Sequence, residues 1–366
     1  MTPFFYISLF LVLYASLRFM VSLFNFLTRP ILPHGKVDGD PMVSVLIPAR
    51  NEEANIAKIL KGLLAQSYSN CEIIVYDDLS TDNTAVIVNN FTEEYENVKL
   101  IKGEELPMGW LGKNHACYQL ALRAKGDYLL FLDADVEISE WFVVNALAYI
   151  RRNNLTLLSM FPHQRMISWG ESLVVPTMNW ILLSLLPLRL VSWSKRRSLA
   201  AANGQMMMFE ASSYGENQWH EKVKSSPVED IGISRLVKRQ KLRMAILLGS
   251  DDISCRMYGS YSQAIEGFAK NLTAFFGGSG LVALLFALMG TTGPILVVYH
   301  LPFPLTFLYF FCLISARMLA ARLSEQSVFL NVLLWPIQHV SFLHMVIRAV
   351  VLRKQKGLLW KGRQIA

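Results

Sequence analysis

The longest apolar runs in this chain lie at its two ends, and the stretch between them alternates short apolar runs with helical patterns. Residues 3–27 are apolar apart from scattered Ser, Asn and Arg18, enough for a membrane crossing at about 20 residues per span. The flank runs on into Arg29 and Lys36 with no small-residue cleavage site. This predicts a retained anchor over residues 1–28, its amino end outside and the next domain in the cytosol. The Pro-rich stretch 29–41 reads as a linker. From Met42 to about residue 158 the alternation predicts βαβ units and a parallel sheet. Strands are expected at 43–48, 72–76, 98–101, 128–132 and 155–160, with helices at 52–66, 113–124 and 140–151 and a further helix start at Ser80, Thr81 and Asp82. The run Tyr128-Leu129-Leu130-Phe131-Leu132 has no polar alternation, so it is predicted to be buried on both faces of a mainly parallel sheet.

Between residues 171 and 193 an apolar stretch is broken by Pro176 and Pro187 and ends in Ser194-Lys195-Arg196-Arg197. The breaks and the basic flank predict a segment lying in the membrane interface, with a buried helix pair as the alternative. Residues 198–265 return to mixed composition and complete a domain taken as 42–270. Candidate spans at 278–299, 302–319 and 327–351 make a carboxy-terminal membrane part, 277–351, followed by a basic tail, 352–366. One crossing at the front and three here would leave Arg353, Lys354, Lys356 and Lys361 outside, against the positive-inside tendency. The last segment also carries Pro336, Gln338, His339, His344 and Arg348, so a re-entrant or interfacial final segment with a cytosolic tail is expected.

Composition agrees with a multi-pass protein of the cytoplasmic membrane, since 53% of residues are hydrophobic. The excess of 35 basic over 28 acidic residues suits a surface against anionic lipid. Its basic residues fall in short clusters beside apolar segments, such as Lys195-Arg196-Arg197 and Arg353-Lys354, which argues against nucleic acid as the partner. Cys71, Cys117, Cys255 and Cys312 are far apart, without metal-type spacing, so neither a disulfide framework nor a zinc site is supported and the compartment is read as the reducing cytosol.

Four polar stretches fall at the same edge of the expected sheet: Pro48-Ala49-Arg50-Asn51-Glu52-Glu53, Asp77-Asp78-Leu79-Ser80-Thr81-Asp82, Gly109-Trp110-Leu111-Gly112-Lys113, and Asp133-Ala134-Asp135. In open α/β sheets ligands bind outside the carboxyl ends of the strands. Acidic groups beside a nucleotide make sense when a cation sits between carboxylate and phosphate, and Asp133 and Asp135 can turn toward one Mg2+ or Mn2+. Asp78 is placed to accept hydrogen bonds from base or ribose, and Lys113 opens a helix whose free amides can face a diphosphate. Asp82 is read as a helix cap, and His115 and His163 as structural. No Gly-x-Gly-x-x-Gly follows the first strand, which disfavours a dehydrogenase.

This combination resembles the inverting, nucleotide-sugar-dependent glycosyltransferases of family 2, and most closely the bacterial membrane carotenoid glucosyltransferases of the diaponeurosporenoate type. The residues that carry the resemblance are 47–53, Trp110-Leu111-Gly112-Lys113-Asn114-His115, Asp133-Ala134-Asp135-Val136, Arg256-Met257-Tyr258, Phe268-Ala269-Lys270-Asn271 and Trp360-Lys361-Gly362-Arg363. It implies an α/β Rossmann-like domain of the GT-A type, facing the cytosol, with transmembrane helices at both ends. It implies a UDP-sugar donor, a metal on Asp135 helped by Asp133, Asp78 on the uridine, and Pro48, Arg50 and Glu52 lining the nucleotide pocket. It also implies a general base in a Glu-Asp motif before a helix, here Asp230 in Ser226-Pro227-Val228-Glu229-Asp230. The acceptor implied is a lipid such as a carotenoid or carotenoid acid, receiving a single sugar, with glucose expected. Family 2 polymerases carry a Gln-x-x-Arg-Trp signature, from which Tyr261-Ser262-Gln263-Ala264-Ile265 departs, so single transfer is expected. The alternatives are a processive polysaccharide synthase, and an inactive scaffold or transporter that keeps a nucleotide-binding domain.

Overall fold

The computed structural model describes residues 2–354, 359–360 and 363–364. Lys356, Lys361 and most of the expected basic tail lie outside the described residues. The chain divides into two compact units, one formed by Pro30–His163 and Arg189–Arg256, the other by Met1–Arg29, Gln164–Leu188 and Met257–Ala366.

In chain order the first half holds α1 (Pro3–Thr28), β1 (Val43–Ala49), α2 (Ile56–Leu64), β2 (Cys71–Asp77), α3 (Thr84–Glu94), β3 (Val98–Lys102), α4 (Gly112–Arg123), β4 (Tyr128–Leu132), β5 (Val136–Ile138), α5 (Phe142–Arg152), β6 (Leu157–Phe161) and β7 (His163–Gln164). There follow α6 (Trp169–Ser172), α7 (Val175–Leu185), α8 (Leu188–Trp193), β8 (Met206–Glu210), α9 (Ala211–Asn217), α10 (Trp219–Lys222), α11 (Glu229–Arg239), β9 (Met244–Leu248) and β10 (Ile253–Cys255). The remainder is α12 (Tyr261–Phe275), α13 (Gly280–His300), α14 (Phe303–Leu323), α15 (Val328–Leu333), α16 (Trp335–Lys354), β11 (Leu359–Trp360) and β12 (Arg363–Gln364).

The first unit is built on a seven-stranded sheet in the order β3-β2-β1-β4-β8-β6-β9. β1 pairs in parallel with β2 on one side and β4 on the other. Its residues and those of β4 are nearly all buried, as the unbroken apolar runs require. The chain proceeds outward from β1 through β2 to β3 and then returns to β1's other side as β4, so the strand order reverses between β1 and β4. That reversal opens a crevice at the carboxyl ends of these strands. Pro48 fits inside β1 because β4 pairs only with Val43–Leu46, which leaves the missing proline donor beyond that ladder.

The sheet is mainly parallel, as expected, with one antiparallel strand inserted. β8 runs antiparallel to both β4 and β6. Its run Met206-Met207-Met208-Phe209 is too short for periodicity to separate strand from helix, and its partners are distant in sequence. The helix expected from residue 52 begins at Ile56 instead. Asn51 takes a left-handed φ of 52°, and its amide donates to Ser80 Oγ at 2.9 Å while its side-chain oxygen accepts from Thr81 N at 2.8 Å. Residues 51–53 are thereby tied to the loop after β2 and held out of the helix. Asp82, read as a helix cap, lies one residue before the N-cap Asn83 of α3 and accepts from Thr84 N at 3.0 Å, so it braces the turn into the helix and does not cap it. Part of the expected linker packs in this unit: Leu248 N donates to Pro30 O at 2.7 Å and Gly35 N to Asn145 Oδ1 at 3.0 Å.

The second unit is helical. Among the described residues, four of its helices are long and apolar enough to cross a membrane: Pro3–Thr28, Gly280–His300, Phe303–Leu323 and Trp335–Arg353. Leu11, Val12 and Ala15 of α1 form a core with Val297, Tyr309, Cys312 and Leu313. Within the stretch expected to lie in the interface, α7 is packed by α1 and α14, with Trp180, Leu183 and Ser184 buried. α16 is one continuous helix, and three of the polar residues that argued against a crossing are bonded within the unit. Gln338 Oε1 accepts from Arg317 at 2.5 Å, Gln338 Nε2 donates to Ser172 O at 2.9 Å, His344 Nδ1 lies 3.1 Å from Tyr261 Oη, and Arg348 Nε donates to Glu266 at 2.6 Å. Their polarity is satisfied by neighbouring helices, so it does not count against a span.

Candidate active site

The carboxyl ends of β1, β2 and β4 bring the expected polar stretches to one edge of the sheet. Asp133 and Asp135 follow β4, and the Asp133 amide donates to Gln205 O at 3.0 Å where β8 begins. α4 delivers Lys113 from its first turn. The Lys113 Nζ reaches Asp133 Oδ1 at 2.8 Å, Glu229 Oε1 at 3.2 Å and Gly204 O at 3.2 Å. It is therefore a bridge between strand end and α11, where a surface lysine would be solvated. Asn114, one residue on, donates to the carbonyls of Val223, Lys224 and Ser226 at 2.9, 3.2 and 3.0 Å, which pins the loop before α11 to α4.

Asp230 stands at the start of α11. Its Oδ2 accepts from Gly204 N at 3.1 Å and its Oδ1 from Ile231 N at 2.7 Å. A Cβ on Gly204 would sit 2.8 Å from Glu229 Oε1 and 3.2 Å from Lys113 Nζ, so a side chain there would displace the ends of both. Gln205 Nε2 donates to Asp135 Oδ1 at 3.4 Å and to Cys255 Sγ at 3.2 Å. Glu229 as the partner of Lys113, and Gly204 and Gln205, were not singled out as site residues from the sequence. The signal available was the Asn203-Gly204-Gln205 turn before an apolar run, which carries no titratable group.

Charge is unevenly compensated here. Burial, the Asp133 carboxylate and Glu52 push Asp135 up to about 6. Burial and Glu229 push Asp230 up to about 7. Burial also raises Asp133, against the pull of Lys113. Burial disfavours the Lys113 ammonium, but Asp133 and Glu229 outweigh it and hold its pKa well above the ordinary lysine range. The site thus holds more negative charge than its one lysine balances.

Asp78 directly follows β2 and is buried. Its amide donates to Ala49 O at 2.8 Å, and Arg50 NH1 donates to the carbonyls of Asp78 and Leu79 at 2.5 and 3.1 Å. Leu79 has a left-handed φ of 53°. Glu52 accepts from Asn55 Nδ2 at 3.0 Å. Pro48 pairs with Tyr76 across the β1–β2 ladder. His115 is wedged against the Tyr76 and Trp110 rings, with centroids at 6.2 and 5.3 Å. His220 is buried and 2.7 Å from Tyr214 Oη, and burial takes its pKa down to about 3, so it is a neutral packing residue.

Among the described residues no group of three or more His, Cys, Asp or Glu side chains forms a metal cage. Mg2+ or Mn2+ beside a nucleotide is held by one or two carboxylates together with phosphate oxygens, and Asp133 and Asp135 both follow the end of β4. Burial, with Asp133 and Glu52 beside it, raises the proton affinity of Asp135, and a cation bound there would offset that charge.

Residues 44–211 match the family model described as Glycosyl transferase family 2. A 4,4'-diaponeurosporenoate glycosyltransferase of Staphylococcus haemolyticus is 32% identical over 233 residues, 63% of this chain and 60% of that protein. The enzyme of the same name in Staphylococcus aureus MRSA252 is 26% identical over 262 residues, 69% of this chain and 68% of that one. Among solved structures, a mannosyltransferase from Pyrobaculum calidifontis in complex with GDP-Man and Mn2+ aligns over 94% of this chain and 97% of its own, with a TM-score of 0.52 at 17% identity. That likeness shows a shared fold, the mixed α/β sheet of GT-A-like glycosyltransferases.

Proposed function

Residues 44–211 are a glycosyl transferase family 2 domain, and from that premise we propose that the protein transfers one sugar from a UDP-sugar to a lipid acceptor at the cytosolic face of the cell membrane. The observation that supports this most is the meeting, around Gly204, of Lys113, Asp133 and the Glu229-Asp230 pair at the reversal point of the sheet. The relatives' printed name points to a carotenoid acid as acceptor, and the four apolar helices suit a lipid substrate.

In this reading Asp78, Pro48, Arg50 and Glu52 line the nucleotide pocket, and Asp135 with Asp133 would hold a divalent cation, which would supply neutralisation of the charge developing on the diphosphate. Lys113 does the same from the α4 terminus, and Asp133 and Glu229 keep it protonated. Asp230 orients the acceptor and takes its proton when the acceptor is a hydroxyl. The acceptor oxygen forms its bond to the anomeric carbon as the bond to the diphosphate oxygen breaks, with the electron pair leaving on UDP, so configuration inverts. Electrostatic stabilisation of this kind is often the largest single contribution to rate.

The test is incubation of the purified full chain with labelled UDP-sugars, Mn2+ and a membrane lipid extract. One labelled lipid, heavier by one sugar, is expected. A ladder of products would replace single transfer with processive synthesis, and label from GDP-mannose alone would overturn the UDP assignment.

A further inference from the structure

The helical unit buries two arginines whose charge nothing in their surroundings balances. Arg18, in the middle of α1, is 7% exposed, and Arg317 of α14 is 1% exposed. Both guanidinium groups lie on the ring of Trp180 from α7, at 3.6 and 4.4 Å from its centroid. Among the described residues neither makes an ion pair. Arg18 donates to Ser184 Oγ at 3.0 and 2.5 Å, and Arg317 to Gln338 Oε1 at 2.5 Å, all neutral acceptors. Two like charges sharing one ring in an apolar helical unit repel each other and lack the carboxylate that buried cations require.

The same spot has unused donors. Arg317 Nε, Trp180 Nε1 and His339 Nε2 are buried without hydrogen-bond partners. His339 Nδ1 lies 3.2 Å from Arg317 NH2 and 2.9 Å from Trp335 O, and one ring nitrogen cannot both accept from the first and donate to the second. If it accepts from Arg317, Nε2 carries a proton with nothing to receive it. Arg18, Trp180 and His339 line a cavity of about 40 Å³, room for about three waters or one small anionic group. Gly290 and His339 also line a wider apolar groove of about 510 Å³, walled by Pro294, Ile295, Val298 and Trp335.

We propose that this cavity and groove form a binding site for an anionic, single-chain lipid: its carboxylate or phosphate head on Arg18 in the cavity, with Arg317 held behind it through the shared Trp180 ring and its contact with His339, and its hydrocarbon chain in the groove. Charge complementarity identifies the occupant. A neutral lipid would leave both cations unbalanced, and a small free anion would leave the apolar groove unfilled. The site is independent of the sugar-transfer reading, because binding is measured without nucleotide.

The full chain in a neutral detergent is titrated with oleate, oleyl alcohol or inorganic phosphate while thermal melting is followed. Oleate is expected to raise Tm at concentrations where the other two do not, and Arg18→Gln and Arg317→Gln are each expected to weaken oleate at least tenfold. Ile295→Trp, on the exposed groove wall, is expected to weaken it with both arginines in place. Oleate binding no tighter than oleyl alcohol, or unchanged in both arginine variants, overturns the proposal, and inorganic phosphate matching oleate overturns the lipid assignment in favour of a free anion. Should the arginine variants not fold, diazirine-tagged oleate on the unaltered chain is expected to label peptides of α1, α13 or α16 and to be displaced by oleate but not by oleyl alcohol. Labelling elsewhere overturns it.

Discussion

Asp135 and Asp230 are both carboxylates with raised proton affinity, but they answer to different tests. Asp135→Ala is expected to lower kcat by about 10²- to 10³-fold, as loss of a preorganised charge-stabilising group does, in a transfer assay at saturating Mn2+. For a hydroxyl acceptor, Asp230→Asn should cost about 10²- to 10⁴-fold, and wild-type kcat/KM should rise with pH through about 7, where Asp230 deprotonates. A carboxylic acid acceptor is already ionised at neutral pH. Asp230→Asn should then cost less than about tenfold, so comparing the two variants reports the acceptor's chemistry. Stability moves the other way. Asp230's folded pKa lies above its ordinary value, so its protonated form stabilises the fold at low pH and that contribution is lost as pH rises toward 7 and beyond. Asp230→Asn should therefore melt about 2–4 °C higher than wild type at pH 8, the shift about 1 kcal/mol produces in a unit of this size, and no higher near pH 4.

The elements that deliver the site are joined by a buried polar node. Ser44 of β1 donates to Glu72 of β2 at 2.7 Å and accepts from Gly126 N, before β4, at 2.8 Å, while Lys125 N and Lys99 Nζ reach Glu72 at 2.7 and 2.8 Å. Burial disfavours the Glu72 carboxylate, but the Lys99, Ser44 and Lys125 bonds prevail and its pKa is lowered. Its stabilisation is therefore present above the ordinary glutamate range and lost as pH falls through the lower, folded value. Glu72→Gln should destabilise the fold by about 1.5–3 kcal/mol at pH 7 in urea unfolding, with the difference shrinking in acid. Strands β1, β2 and β4 were readable because strands buried on both faces appear as nearly continuous apolar runs with polar ends. β8 was not, because four apolar residues between polar neighbours carry no period, and only pairing with β4 and β6 makes them a strand. With β8 went Gly204 and Gln205, which hold the centre of the site through backbone and amide groups that no motif marks.

At the scale of the whole molecule, four apolar helices present side chains such as Phe10, Leu17, Leu285, Ile295, Phe307 and Phe311 outward. Exposed apolar faces of that extent mark surfaces that meet a membrane or another protein. The full chain should stay in the membrane pellet after alkaline carbonate and leave it with detergent, and release by carbonate alone would contradict spanning helices. Residue type and spacing alone determined the alternating middle, the apolar ends, and the placing of Asp78, Lys113, Asp133 and Asp135 at strand and helix ends, because periodicity and chain order are local properties. Only the tertiary structure decided that β8 runs antiparallel, that Lys113 joins Asp133 to Glu229, and that Arg18 and Arg317 converge on Trp180. Each of those joins residues tens to hundreds of positions apart, and a pairing across such distances is set by how faces pack, which no window of sequence contains.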